Sequence, residues 1–107
     1  PSTFLKCIEI KSNMAWCDDI RFPKKYNKLI KIEKNIKYEK LKRKDFKYDL
    51  LIPIKYNYKK PTTGLGSCIF IHLTKDFKPT VGCIALKEKD FLIMLKLIKK
   101  KTKIKIY

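Results

Sequence analysis

The chain has 107 residues, 27 Lys or Arg against 10 Asp or Glu, and a formal net charge of +17. That length fits one domain with a limited core, and residues 1–107 are read as a single unit. No run is long and apolar enough to span a bilayer, and the opening Pro1-Ser2-Thr3-Phe4 lacks the basic, hydrophobic and small-residue regions of an export signal.

In chain order, residues Thr3 to Ile10 alternate weakly and predict a strand. Ser12 to Lys28, with Pro23 and many polar groups, reads as an irregular loop. Tyr38 to Lys44 predicts a short helix, and Asp49 to Tyr56 a strand whose Pro53 suits an edge or a bulge. Pro61 to Gly66 is a turn, and Ser67 to His72 the next strand. Lys75 to Pro79 predicts a loop that returns Cys83 beside His72.

From Lys87 to Lys99 the period becomes helical. Phe91, Leu95 and Ile98 share a face that reads as core, Glu88 and Asp90 stand in the first turn, and lysines crowd the last. The closing run Lys103-Ile104-Lys105-Ile106-Tyr107 alternates as a strand does. The pattern predicts a mainly β fold with a short helix and one C-terminal helix.

His72 is the only histidine, and Cys83 stands in the run Pro79-Thr80-Val81-Gly82-Cys83-Ile84-Ala85-Leu86. A free thiol titrates near ~8.5 and attacks carbonyls as the thiolate, so a nucleophilic cysteine needs a base such as imidazole. A lone histidine in an apolar strand is more often a hydrogen-bonded structural residue than a catalyst, and cysteine is commonly buried. The spacing alone leaves both readings open.

The segment Gly64-Leu65-Gly66-Ser67-Cys68-Ile69-Phe70-Ile71-His72 and the Cys83 run together closely resemble the L,D-transpeptidase catalytic domain, the YkuD-type family. Trp16-Cys17-Asp18-Asp19, Tyr26-Asn27, Tyr48-Asp49 and Tyr56-Asn57 extend the resemblance from about Met14 onward. It implies a β-sandwich-like sheet and a cysteine-dependent acyl transfer on peptidoglycan stem peptides. Cys83 is then the nucleophile and His72 the base. Gly82 and Thr80 shape the turn and the oxyanion site, and Trp16, Asp18, Tyr56 and Asn57 line the substrate cleft. Tyr26, Asn27 and Asp19 join them as further candidates. Each has a structural alternative: Trp16 as core, the aspartates as loop caps, the Tyr-Asn pairs as turn starts.

The thioester on Cys83 would pass to a stem-peptide amine, giving 3→3 cross-links, or to a protein lysine or water, attaching or trimming stems. No cofactor is implied, and the protein is expected as a monomer in the periplasm or cell wall. Many relatives carry His and Arg where this chain has Val81 and Ala85, so the resemblance does not carry over the substrate-carboxylate contact assigned to that arginine. Pro1-Ser2-Thr3-Phe4 is similar to the end of a segment that in relatives follows several strands. On that alignment the chain lacks N-terminal strands, and an inactive truncated homologue is an alternative to the enzyme.

The charge supports a different class, a basic module binding nucleic acid or an anionic wall polymer through counterion release. The lysines are spread along the chain, however, and Arg21 and Arg43 are the only arginines. Specific nucleic-acid recognition is therefore not expected. Cys7, Cys17, Cys68 and Cys83 have no metal-ligand spacing, so no metal site is predicted. If His72 activates Cys83, that thiol is expected to react ahead of the other three.

Overall fold

A computed structural model describes residues 2–75 and 83–104. These form two three-stranded sheets and one helix, the mainly β architecture that the sequence pattern predicts. In the first sheet β1 (Met14–Cys17) lies between β2 (Leu29–Lys31) and β3 (Tyr38–Lys40), antiparallel to both. In the second, β5 (Phe70–Leu73) lies between β4 (Leu51–Pro53), antiparallel, and β6 (Ile84–Leu86), parallel.

Asparagines make the turns of the first sheet possible. Asn27 and Asn35 hold φ of 57° and 64°, a left-handed region that asparagine tolerates better than most side chains. The Asn27 N–H donates to the Cys17 carbonyl at 2.8 Å, closing the return from β1 toward β2. Asp19 is buried, and its carboxylate accepts from the Arg21 backbone N–H (3.0 Å), from Arg21 Nε (3.0 Å) and Nη2 (2.7 Å), and from the Lys37 N–H (2.9 Å). One short acid thus ties the end of β1 to the entry of β3 and satisfies donors that would otherwise be lost inside the loops.

Strand β5 divides the core. Phe70 is fully buried against Trp16, Leu41 and Tyr48 on one side, with ring centroids 5.3 Å from Trp16 and 5.7 Å from Tyr48 in edge-to-face geometry. Ile71 and Leu73 point the other way, into a cluster with Phe91 and Leu95. Both faces of β5 are therefore covered, which is why Phe-Ile-His-Leu shows no polar alternation.

The helix α1 (Glu88–Leu97) forms inside the predicted span of 87–99. Lys87 is its extended cap residue, and Ile98 leaves the helix with its N–H on the Met94 carbonyl. Phe91 and Leu95, one turn apart, are the buried positions, and Glu88 and Asp90 favour the N-terminal end of the dipole.

Three local expectations change. The stretch read as a loop, Ser12 to Lys28, contains β1, the central strand of its sheet. Residues 38–44 begin as edge strand β3 and contain no helix. Their charged residues suit a helix by propensity, but pairing with β1 satisfies the backbone first. Residues 3–10 form no strand, although Leu5 and Ile10 pack on the two core clusters. Pro53 ends edge strand β4, where a missing N–H is tolerated. Of the final alternating run, Lys103 and Ile104 are not in a strand, and 105–107 lie outside the described residues.

Candidate active site

Parallel pairing of β5 with β6 sets His72 opposite Ala85 and Ile71 opposite Ile84. Extending that register by one step sets Cys83 beside Phe70. Because side chains alternate along a strand, Phe70, His72, Cys83 and Ala85 then share one face. The packing agrees, since Cys83 and Cys68 both lie against the cluster of Trp16, Leu41, Tyr48 and Phe70. The structure thus brings the predicted base and nucleophile to one layer, on neighbouring strands.

His72 is buried, and its Nδ1 lies 2.9 Å from the Leu73 carbonyl oxygen. A carbonyl only accepts, so Nδ1 carries the proton and, in the neutral ring, Nε2 is the basic nitrogen. The Tyr48 ring lies across the imidazole at 5.7 Å between centroids. A strand covered on both faces, a fixed tautomer and an aromatic wall leave the ring little freedom.

Cys83 is half-buried, and its thiol donates to the Cys68 carbonyl at 3.2 Å. Burial pushes its pKa above the ordinary thiol value. A hydrogen bond with the Phe70 backbone opposes that rise, and the negative charge of Glu39 adds to it. Cys68 is raised as well, by burial first, with a counteracting bond to Ser67 and a further push from Glu39. Its φ of 59° is unusual for a non-glycine residue and turns the chain immediately before β5. Tyr48 is raised by burial and by the Glu39 carboxylate that its hydroxyl bonds. The Cys83 thiol is therefore held in its neutral form near neutral pH.

A hydrogen-bonded scaffold borders this layer. Trp16 Nε1 donates to Asn27 Oδ1 at 2.8 Å, and Asn27 Nδ2 donates to the carbonyls of Tyr56 (3.0 Å) and Asn57 (2.6 Å). Asn57, at φ 53°, passes the network on through Nδ2 to the carbonyls of Thr62 (3.0 Å) and Gly66 (2.9 Å). Ser67 Oγ then donates to the Cys17 carbonyl at 3.1 Å. Trp16 and Asn57 serve here as framework for the loop that delivers Cys68 and β5.

The other predicted cleft residues sit nearer the surface. Tyr56 is exposed and covers Gly66, whose φ of 133° requires glycine. Asp18 is partly exposed and pairs with Lys37 at 3.6 Å. Tyr26 is buried, and its hydroxyl accepts from the Gly64 N–H at 3.3 Å. Thr80 and Gly82, assigned to the turn and oxyanion site, lie outside the described residues.

Sequence reasoning did not single out Glu39 and Tyr48 for the site. Tyr48 was visible only as half of a Tyr-Asp pair, and Glu39 enters because it pairs with Trp16 across β1 and β3. Two open depressions lined by Phe46, Leu73, Lys75 and Glu88 lie on the helix side of β5, away from His72 and Cys83. Among the described residues, no group of His, Cys, Asp and Glu could hold a metal ion, and no helix is long and apolar enough to cross a membrane.

A family model for the L,D-transpeptidase catalytic domain, YkuD, matches residues 11–106. Comparison with curated proteins and with solved structures gave no match.

Proposed function

The chain belongs to the L,D-transpeptidase catalytic-domain family, whose members act on peptidoglycan, and on that premise we propose that it is a cysteine acyltransferase for peptidoglycan stem peptides. The observation that supports this most is the placement of His72 and Cys83 on one face of neighbouring parallel strands, in a chain matched from 11 to 106.

Because the resting thiol is neutral and bonded to the Cys68 carbonyl, its proton leaves as attack begins. His72 Nε2 takes that proton while Cys83 Sγ forms a bond to the carbonyl carbon of the third stem residue. The tetrahedral intermediate collapses with cleavage of the peptide bond. The imidazolium returns its proton to the departing D-Ala nitrogen, leaving a thioester on Cys83. An amine or water then attacks the thioester, with His72 accepting its proton, and the thiol is regenerated. Backbone N–H groups at Gly82 and Cys83 would hold the oxyanion, with Thr80 supporting the turn. Tyr56 and Asp18 are the predicted cleft residues with the solvent access needed to meet a peptide. The family's association with the cell wall supports action in the periplasm or wall.

The test is incubation with a peptidoglycan tetrapeptide, following D-Ala release and the intact mass of the protein. An acyl adduct mapped to Cys83 is expected, and Cys83→Ser should remove most turnover, since a serine hydroxyl is far harder to deprotonate. A folded protein that forms no adduct and releases no D-Ala would refute the proposal.

A further inference from the structure

Glu39 is an acid in an unexpected setting. The chain carries 27 Lys or Arg against 10 Asp or Glu, so an ion pair for a partly buried carboxylate would be easy to supply. Among the described residues the ion pairs are Asp19 with Arg21, Glu33 with Lys25, Asp18 with Lys37 and Asp45 with Arg43. Glu39 is in none of them. Arg43 is close by, 4.9 Å above the Tyr48 ring, but its guanidinium is held by Asp45 at 2.7 and 2.9 Å.

The backbone directs Glu39 toward Cys83. It sits opposite Trp16 in the β1–β3 pairing, so both side chains leave the first sheet on the same side. The Trp16 ring lies 5.3 Å from Phe70, on the Cys83 face of β5. The Tyr48 hydroxyl donates to Glu39 Oε1, while the Tyr48 ring is fixed against Phe70 and His72. The Cys68 thiol also bonds this carboxylate, and two donors still leave part of the roughly four lone-pair sites of an ionised carboxylate open to a further donor.

This placement opposes activation of the nucleophile, because negative charge beside a thiol disfavours the thiolate. A carboxylate held there by a dedicated tyrosine bond fits a different task, attraction of a cation that arrives with the substrate.

We infer that Glu39, oriented by Tyr48, is a specificity-determining residue that receives a primary ammonium group beside Cys83. The inference rests on the reading that Cys83 takes a stem peptide. In such a peptide the ammonium belongs either to the side chain of the donor's third residue or to the acceptor amine that resolves the thioester. Recognition is the same for both, an N–H donor with positive charge bonded to a carboxylate; an acceptor first loses one proton to solvent, and the amine so formed attacks the thioester while His72 carries its second proton to the Cys83 sulfur.

Two synthetic tetrapeptides, differing only in a free or N-acetylated side-chain amine on the third residue, separate these possibilities. Binding to the full chain carrying Cys83→Ser is measured by calorimetry, with Glu39 intact or replaced as Glu39→Gln or Glu39→Asp. For a donor ammonium, the free amine binds about tenfold tighter. Glu39→Gln reduces that preference to less than about twofold, and Glu39→Asp restores part of it. For an acceptor amine, the two donors bind alike. Glu39→Gln in the Cys83 protein then slows transfer from a preloaded thioester to an amine but not to water.

In the Cys83 protein with Glu39→Gln, iodoacetamide should label Cys83 faster at a given pH, because the opposing charge is gone. Faster labelling together with lost ammonium preference cannot come from simple loosening of the fold, which would weaken binding of both peptides equally. The inference is overturned if Glu39→Gln changes neither the preference for the free amine nor the amine-to-water ratio, or if labelling and binding of both peptides fall together. If the Cys83 protein forms no acyl adduct while its Cys83→Ser form shows Glu39-dependent ammonium preference, the acyl-transfer reading fails and the inference stands. Adduct formation without that preference or an amine-specific effect gives the reverse result.

Discussion

Replacing Asn27 by alanine removes the junction on which the site's scaffold depends. Asn27 is 2% exposed and makes three side-chain bonds, accepting from Trp16 Nε1 and donating to the Tyr56 and Asn57 carbonyls. Stranding the buried indole N–H costs about 1–3 kcal/mol, and each deprived carbonyl adds about 1 kcal/mol. Alanine at the φ of 57° seen here adds about 1 kcal/mol of left-handed strain. The sum, about 4–6 kcal/mol, is a large part of the ~5–15 kcal/mol that stabilises a typical domain. Glycine loses the same bonds but not the backbone strain, so Asn27→Gly should remain more stable than Asn27→Ala by about 1 kcal/mol. Urea unfolding at neutral pH measures both. A loss under about 1.5 kcal/mol for Asn27→Ala, or a glycine variant no better than alanine, would show that the network is not the support inferred here.

Two further outcomes follow from the ionisable groups. Cys83 alkylation, followed residue by residue by mass spectrometry, should be slower than that of exposed Cys7 near neutral pH. Its rate should inflect above the ~8.5 of a free thiol, because burial keeps Cys83 protonated; a plateau below that value would contradict the neutral resting state. Asp19 is held well below the usual carboxylate range by its bonds to Arg21 and the Lys37 N–H. Its stabilising contribution is therefore present above the unfolded value of about 4 and is lost as pH falls toward the folded one. Asp19→Asn should lower stability at neutral pH and flatten the acid limb of a pH series of urea midpoints. An unchanged limb would assign acid sensitivity to other carboxylates.

With Cys83 half-buried and its thiol raised, the labelling order predicted from the structure is the opposite of the one expected from sequence, in which an activated Cys83 reacts first, and the alkylation series decides between them. The motif around Cys83 makes it the candidate nucleophile, but its protonation depends on burial and on Phe70 and Glu39, which come from β5 and β3. Similar limits apply to the fold. The strand that holds His72 was readable from the β propensity of its Ile and Phe, and the C-terminal helix from the helical period of Phe91, Leu95 and Ile98. β1 was hidden because its four residues lie within a polar stretch, and its burial comes from flanking strands remote in sequence. Glu39 could not be placed without β3, and β3 has the composition of a helix. Trp16 and Asn57 are cleft candidates by their neighbours in sequence, and only the structure shows their bonds to and from Asn27 and the turn, which give them a framework role as well.

A neutral thiol is consistent with acyl transfer when the base is as well held as His72. Attack needs the thiolate only while the bond to carbon forms, and a neutral imidazole with its proton fixed on Nδ1 has its basic nitrogen ready for that step. Between turnovers, burial and Glu39 keep the proton on sulfur, with the Cys68 carbonyl as its acceptor. Oxidation and chance alkylation follow thiolate character and exposure, so the features that delay activation also reduce damage to the nucleophile. An ammonium seated on Glu39 would offset the negative charge opposing ionisation, and the thiol would become easier to deprotonate when that group is bound. Recognition and activation would then share one carboxylate, which accounts for its position beside Cys83 without an ion pair among the described residues.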